Sequence, residues 1–180
     1  MNIERTLSSQ TLHKGNLLEY RLDRVSIEGV SSEAERELIL HPGGVVILAC
    51  NADGEFIMVR QYRYAIGDYL LEFPAGRLNP GENPQMAALR ELKEETGYQA
   101  NQIHELGYIY TAPGFCSEKL YMYFADDLVA GESEPDEDEF VSVEHLTAVQ
   151  ITQKIQAMEL SDAKTLAIWT MFSNLSDKLP

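Results

Sequence analysis

Between Gly76 and Tyr98 the chain sets four glutamates, Glu82, Glu91, Glu94 and Glu95, at short offsets around a single arginine, Arg90. Carboxylates crowded this closely repel one another unless a cation lies among them. Oxygen-only donors suit hard divalent ions, Mg2+ or Mn2+, rather than metals that favour thiolate ligands. An ion held by carboxylates can deprotonate water and neutralise charge on a phosphate under in-line attack. The segment therefore points to metal-assisted phosphate chemistry.

A helix must present these groups. Asn83 suits an N-cap, Pro84 the first helical position and Gly97 a left-handed C-terminal residue, so the spacing predicts a helix over 84–96. On it Glu91 and Glu95 share a face, Glu94 flanks that face, and Arg90 lies four residues before Glu94, where the two can pair. Ala87 and Ala88, one turn earlier, leave room for a ligand beside the carboxylates. The loop 76–83, with Gly76 and Gly81, can bring backbone carbonyls alongside, and Glu82 is placed to brace it through backbone N–H groups. An ordinary surface helix with Arg–Glu pairs explains any one of these features but not the whole set.

Around the helix the pattern is strand-rich. Residues 17–28 alternate with period two, 29–33 form a turn, and 36–41 return. Val45–Cys50 is a buried apolar strand, turned at Asn51-Ala52-Asp53-Gly54 into a second strand over 56–62. Further strands fit 69–73, 106–110, 120–125 and 140–143, and helix fits 146–175 with a break near Ser161-Asp162. Strands on both sides of one central helix predict an α/β (α+β) fold. The division expected is a strand-rich extension over 1–42 and a main domain over 43–180.

The 180 residues carry a formal net charge of -15, which argues against nucleic acid or an anionic membrane as partner. An anionic substrate would need metal ions and local arginines to approach. Cys50 and Cys116 stand far apart without metal-ligand spacing, and His13, His41, His104 and His145 show none either. With no basic, apolar leader at the start and no run of about 20 apolar residues, the expected location is cytoplasmic.

The segment Gly76 to Tyr98 resembles the Nudix box: Gly, five residues, Glu, seven residues, then Arg-Glu-aliphatic-any-Glu-Glu-any-Gly-aliphatic. Every charged and glycine position matches, and only Tyr98 departs, standing in the final aliphatic slot. With residue frequencies taken as independent, a chance match is below about one in a million. The resemblance implies a Nudix-type α/β/α sandwich with a mixed sheet and a pyrophosphohydrolase of nucleoside diphosphates linked to another moiety. It implies Glu91 and Glu95 as main metal ligands, Glu94 as a further one, the carbonyl of Ala75 completing the site, and Arg90 as organiser of the glutamates.

Flanking segments resemble the ADP-ribose pyrophosphatase subfamily. Pro113, in Thr111-Ala112-Pro113-Gly114-Phe115, lies sixteen residues after Gly97. Arg60-Gln61-Tyr62-Arg63-Tyr64 followed by Leu71-Glu72-Phe73-Pro74-Ala75-Gly76 matches the subfamily's entry to the box. The resemblance implies substrate contacts at Arg63, Glu72, Pro113 and Gly114, with Arg63 on the diphosphate. It implies a general base in the acidic run ending at Glu139, with Glu137 and Asp138 as neighbours and Glu118 as a second candidate. Asp162-Ala163-Lys164-Thr165-Leu166 resembles a C-terminal motif of the subfamily, with no catalytic role assigned. No tryptophan stands in the extension to grip adenine; Tyr20 and Tyr64 are candidates to stack but are placed first as packing residues. The function implied is Mg2+-dependent cleavage of ADP-ribose to AMP and ribose 5-phosphate by a homodimer joined through its N-terminal strands. Competing readings are another nucleotide sugar or dinucleotide, such as GDP-mannose or NADH, and a non-catalytic ADP-ribose sensor.

Overall fold

The computed structural model describes residues 3–134 and 140–175. In chain order these form β1 (Glu4–Lys14), β2 (Glu19–Ile27), β3 (Glu33–Leu40), β4 (Gly44–Cys50), β5 (Glu55–Arg63), β6 (Asp68–Glu72), β7 (Ala75–Arg77), α1 (Pro84–Thr96), β8 (Gln99–Tyr110), β9 (Lys119–Val129), β10 (Val141–Thr147), α2 (Ala148–Gln156) and α3 (Ala163–Leu175). They group into two compact units, Met1–Gly43 with Tyr110–Lys119, and Gly44–Ile109 with Leu120–Pro180.

The larger unit is built on β4. Its run from Val45 to Ala49 is fully buried, as a strand covered on both faces must be. Alternate residues face opposite sides. Val46 and Leu48 join Phe56, Met58, Phe73, Met122, Ile151 and Ile168, whereas Val45, Ile47 and Ala49 meet Ile57, Ala87, Ala88, Leu92 and Ala125. Thus α1 covers one face of the sheet and α2 with α3 the other, an α/β/α sandwich. The sheet is mixed, in the order β10-β5-β4-β9-β8, with β6 on β5 and β7 on β4. β9 runs parallel to β4 from Gly44↔Leu120 to Ala49↔Ala125. The opposite edge of β4 is shared: β7 pairs at Gly44–Val46 and β5 at Ala49 and Cys50.

Local chemistry sets the element ends. Asn83 Oδ1 accepts from the N–H groups of Gln85 (2.9 Å) and Met86 (3.3 Å), and Gly97 ends α1 at φ 78 while donating its N–H to Lys93 O. The sequence-based start of the last helical region, at Leu146, is too early. Leu146 and Thr147 complete β10 opposite Phe56 and Glu55, and Thr147 then caps α2 in a reciprocal box with Gln150. A hairpin turn follows β4, where Asn51 Oδ1 accepts from Asp53 N–H (3.0 Å) and Glu55 N–H (2.9 Å).

The smaller unit is an antiparallel sheet, β1-β2-β3. β1 escapes the hydrophobic pattern because all eleven of its residues are exposed and none alternates into a core. Its strand character comes from pairing with β2, with register shifts at Thr6/Ser8 and Thr11/His13. Residues 110–119 belong to the same unit, so it is not one continuous stretch of chain. They join it where Ile39 donates its N–H to Phe115 O (2.7 Å) and accepts from Ser117 N–H (2.9 Å). Among the described residues no helix is long and apolar enough to cross a membrane.

Candidate active site

In the larger unit α1 lays Glu91 and Glu95 against the backbone of β7. Both side chains are buried, Glu91 8% and Glu95 2% exposed. The N–H of Ala75 donates to Glu95 Oε2 at 3.1 Å. Gly76 lies so close beneath Glu91 that a Cβ there would meet the carboxylate carbon at 1.9 Å. Glycine is required at that position by contact, since any side chain would take the volume the carboxylate fills. Ala87 and Ala88 serve differently from the ligand clearance expected of them. Both are fully buried in the core beneath α1, where their small size brings the helix down onto the sheet.

Arg90 sits among the carboxylates. Its Nε and Nη2 hold the two oxygens of Glu82 at 2.9 and 3.0 Å, and Nη1 donates to Glu91 Oε1 at 2.7 Å and Glu94 Oε2 at 2.9 Å. Nη2 also donates to the carbonyl of Arg77. Glu82 in turn accepts from the N–H of Asn79 (2.9 Å), fixing the loop before α1. The hydrogen bonds to Glu82 first, then Glu91 and Glu94, hold the guanidinium far above its ordinary pKa, so it remains charged. The same Arg90 contact holds the Glu82 carboxyl below its usual range. Among the described residues no three acidic or imidazole side chains converge as a ready-made cage; the carboxylates lie along one helix face, held by Arg90 and by β7.

A second charged group stands where β5, β6 and α3 meet. Arg63 grips Glu72 through Nε (2.8 Å) and Nη2 (2.5 Å), and Lys164 Nζ reaches the same carboxylate. Glu72 is 1% exposed, its carboxylate covered by Arg63 and Lys164. Burial pushes its pKa up, but the bonds and charges of Arg63 and Lys164 outweigh that, and the carboxyl lies below its ordinary value. Asp162 pairs with Lys164 at 3.1 Å. The sequence assigned no role to Asp162 or Lys164; the only local signal was the resemblance of their short motif.

Pro113, Gly114 and Glu118 lie in the smaller unit. Pro113 and Gly114 occupy an exposed turn closed by Ala112 O, which accepts from Phe115 N–H (3.1 Å) and Cys116 N–H (2.8 Å). Glu118 Oε2 accepts the Thr111 hydroxyl at 2.7 Å. His41 Nδ1 is 3.5 Å from the other oxygen of Glu118, but Nδ1 accepts the N–H of Gly43 at 3.0 Å. Glu139, with Glu137 and Asp138, lies outside the described residues. The flanks of that run are held: Glu134 N–H donates to Glu94 O (3.1 Å), and Val141 pairs with Gln61 of β5. Tyr20 bonds to Glu37 through its hydroxyl. Tyr64, expected to pack, is 91% exposed at the tip between β5 and β6. Tyr98, the one departure in the box, packs against the core on the α1 face with its hydroxyl 3.5 Å from His145 Nε2.

Residues 40–167 match the NUDIX domain. The chain belongs to the Nudix family. This Nudix protein is 37% identical over 164 residues to the ADP-ribose pyrophosphatase of Bacillus subtilis (strain 168), covering 90% of this chain and 88% of that one. It is 36% identical over 165 residues to the methanol dehydrogenase activator of Bacillus methanolicus, covering 91% and 89%. Among solved structures, an ADP compounds hydrolase superposes with a TM-score of 0.83 at 26% identity, covering 97% of this chain and 95% of that one.

Nudix hydrolases use divalent metals, and the residues present fit one. Glu91, Glu94 and Glu95 offer hard oxygen donors on a single helix face, and Gly76 leaves the space that Glu91 needs. Gly76→Ala is expected to weaken Mn2+ binding at least about tenfold by calorimetry; an affinity equal to the parent's would show that the Glu91 carboxylate does not depend on that gap.

The depressed carboxyls set an acid limb of stability. Glu72 and Glu82 have folded pKa values below the ordinary 4.5, so the unfolded chain takes up their protons first as pH falls. Their contribution is complete above that value and is lost as pH falls through the folded values. The urea midpoint should hold from these groups between about pH 7 and 5 and fall below about pH 4.5, less steeply in Arg63→Met/Lys164→Met. A midpoint flat down to about pH 3 would contradict the assignment.

Proposed function

We propose that this protein hydrolyses the pyrophosphate bond of ADP-ribose to AMP and ribose 5-phosphate with Mg2+. One observation carries the reading: Glu91 and Glu95 are seated against β7, Arg90 joins Glu82 and Glu94 to Glu91, and Arg63 stands at the end of β5. The relative named ADP-ribose pyrophosphatase, matched over nine-tenths of this chain, supports the choice of substrate.

The residues divide the work. Glu91, Glu95 and Glu94, with the carbonyl of Ala75, would hold the metal, which when bound neutralises diphosphate charge and acidifies water. Arg90 keeps the glutamates apart and oriented. Arg63 brings a permanent positive charge to a protein whose net charge repels anions, and a guanidinium N–H makes a charge-assisted hydrogen bond to a phosphate oxygen. Pro113 and Gly114 contact the substrate in this reading. Glu139 takes the proton of the attacking water, with Glu118 as the alternative base. The two cysteines are free thiols, which supports a reducing, cytoplasmic setting. A sensor role is weaker, because it leaves the intact carboxylate set without a task.

Purified protein with ADP-ribose and Mg2+ should release AMP and ribose 5-phosphate; no AMP at near-stoichiometric enzyme would sink the reading. The same panel should include GDP-mannose and NADH, since one relative is named for activating a dehydrogenase. Glu95→Gln should lower kcat at least about 100-fold with weaker Mn2+ binding, and Glu139→Gln should lower kcat as much with Mn2+ binding retained. Unchanged turnover in either variant removes that residue from its role.

We propose a homodimer joined through residues 1–42. β1 is a sheet edge of eleven exposed residues, with Leu7 and Leu12 among the exposed apolar side chains. Long open edges are normally covered or paired. Light scattering should give twice the 20.3 kDa chain mass; a monomer at micromolar concentration would rule this out.

A further inference from the structure

The segment Asp162-Ala163-Lys164-Thr165 opens α3 and takes no part in the carboxylate cluster, yet both of its inward groups end on the strand that feeds it. Asp162 Oδ2 accepts the N–H of Thr165 at 2.9 Å, capping the helix, and pairs with Lys164. The cap leaves Lys164 Nζ on Glu72 and Thr165 Oγ1 accepting the N–H of Phe73 at 3.0 Å. Thr165 is fully buried. Pro74 follows without an N–H, its carbonyl taking Ile47 N–H at 2.8 Å. The next donor, Ala75 N–H, goes to Glu95. One end of this four-residue stretch is therefore tied to α3 and the other to the glutamate helix.

Glu72 is shared by two cations, Arg63 and Lys164, and with Asp162 the four charges balance. Sharing therefore adds no surplus charge; it fixes the buried carboxylate that Arg63 grips. Arg63 uses Nε and Nη2 on Glu72, so Nη1 stands outside the fork. We infer that Lys164 is a positioning residue for the proposed pyrophosphate cleavage, an inference that rests on that reading: it pins the Glu72 carboxylate so that Arg63 is held in place with Nη1 left for the substrate diphosphate. Lys164 itself touches no substrate. Thr165 secures the same stretch by its hydrogen bond to Phe73.

Two measurements test this. With ADP-ribose, Lys164→Met should raise KM about tenfold with kcat within about threefold, and Lys164→Arg should recover most of the loss. In an Arg63→Ala background the Lys164→Met step should add less than about twofold. An unchanged KM, or the same tenfold step without Arg63, overturns the proposal. Lys164→Gln, neutral but still able to donate to Glu72, separates charge from hydrogen bond and replaces the Met variant if that one fails to fold. The second measurement needs no substrate: the Arg63 Nε–H resonance, located by its loss in Arg63→Ala, should shift in Lys164→Met and return in Lys164→Arg. An unmoved resonance overturns the proposal. If the parent cleaves no ADP-ribose, the substrate reading fails by itself and this resonance still decides the role of Lys164.

Discussion

The larger unit depends on one guanidinium placed among carboxylates that would otherwise force each other apart. Arg90 bonds to Glu82, Glu91 and Glu94 and to the carbonyl of Arg77. A single positive charge cannot balance three negative ones, and Glu95 adds a fourth nearby. The arrangement leaves an excess of negative charge on a half-buried helix face, which is the electrostatic condition for binding a divalent cation. A lysine could supply the charge but not the planar fork that reaches several carboxylates at once.

Everything beneath that cluster serves to hold it still. Ala87 and Ala88 seat α1 on the sheet, β7 places Ala75 and Gly76 under the two buried glutamates, and β4 fixes β7 by three paired residues. Gly44 shows how tight this is. A Cβ there would stand 2.6 Å from the carbonyl oxygen of Gly76, so the central strand and the strand under the carboxylates meet at a glycine on each side. Packing of this density transmits small displacements rather than absorbing them. The carboxylate face is therefore a product of the sheet as much as of the helix that carries it.

What could be read from the sequence was what is decided locally. Asn83, Pro84 and Gly97 mark the ends of α1 because caps are made by neighbouring residues, and the alternation and apolar runs of β2, β4 and β5 follow from the faces they bury. The glutamates were legible as a set because their spacing is unusual. β1 was hidden because it buries nothing and owes its conformation to pairing alone. The partners of Glu72 were hidden for another reason: Lys164 lies 92 residues away, and no local pattern announces such a contact. Ala87 and Ala88 were misread because small size permits two uses, and only the packing shows that the sheet, not a ligand, takes the space. Tyr98 broke the aliphatic pattern without breaking the fold, since its ring packs where an aliphatic would and its hydroxyl meets His145.

The bond from Phe73 to Thr165 also has a bearing on how the protein is made. Helix α1 and all its glutamates are complete by Thr96, with β4 and β7 already made, but the bond that ties Phe73 to α3 waits for Thr165. The parallel partner of β4 likewise arrives only with residues 120–125. Contacts so distant in sequence form late, because long loops must close before they are rewarded. A chain emerging from the ribosome thus holds its whole acidic motif before the parallel neighbour of β4 and the anchor from α3 exist. That anchor comes from a helix that adds no carboxylate to the cluster.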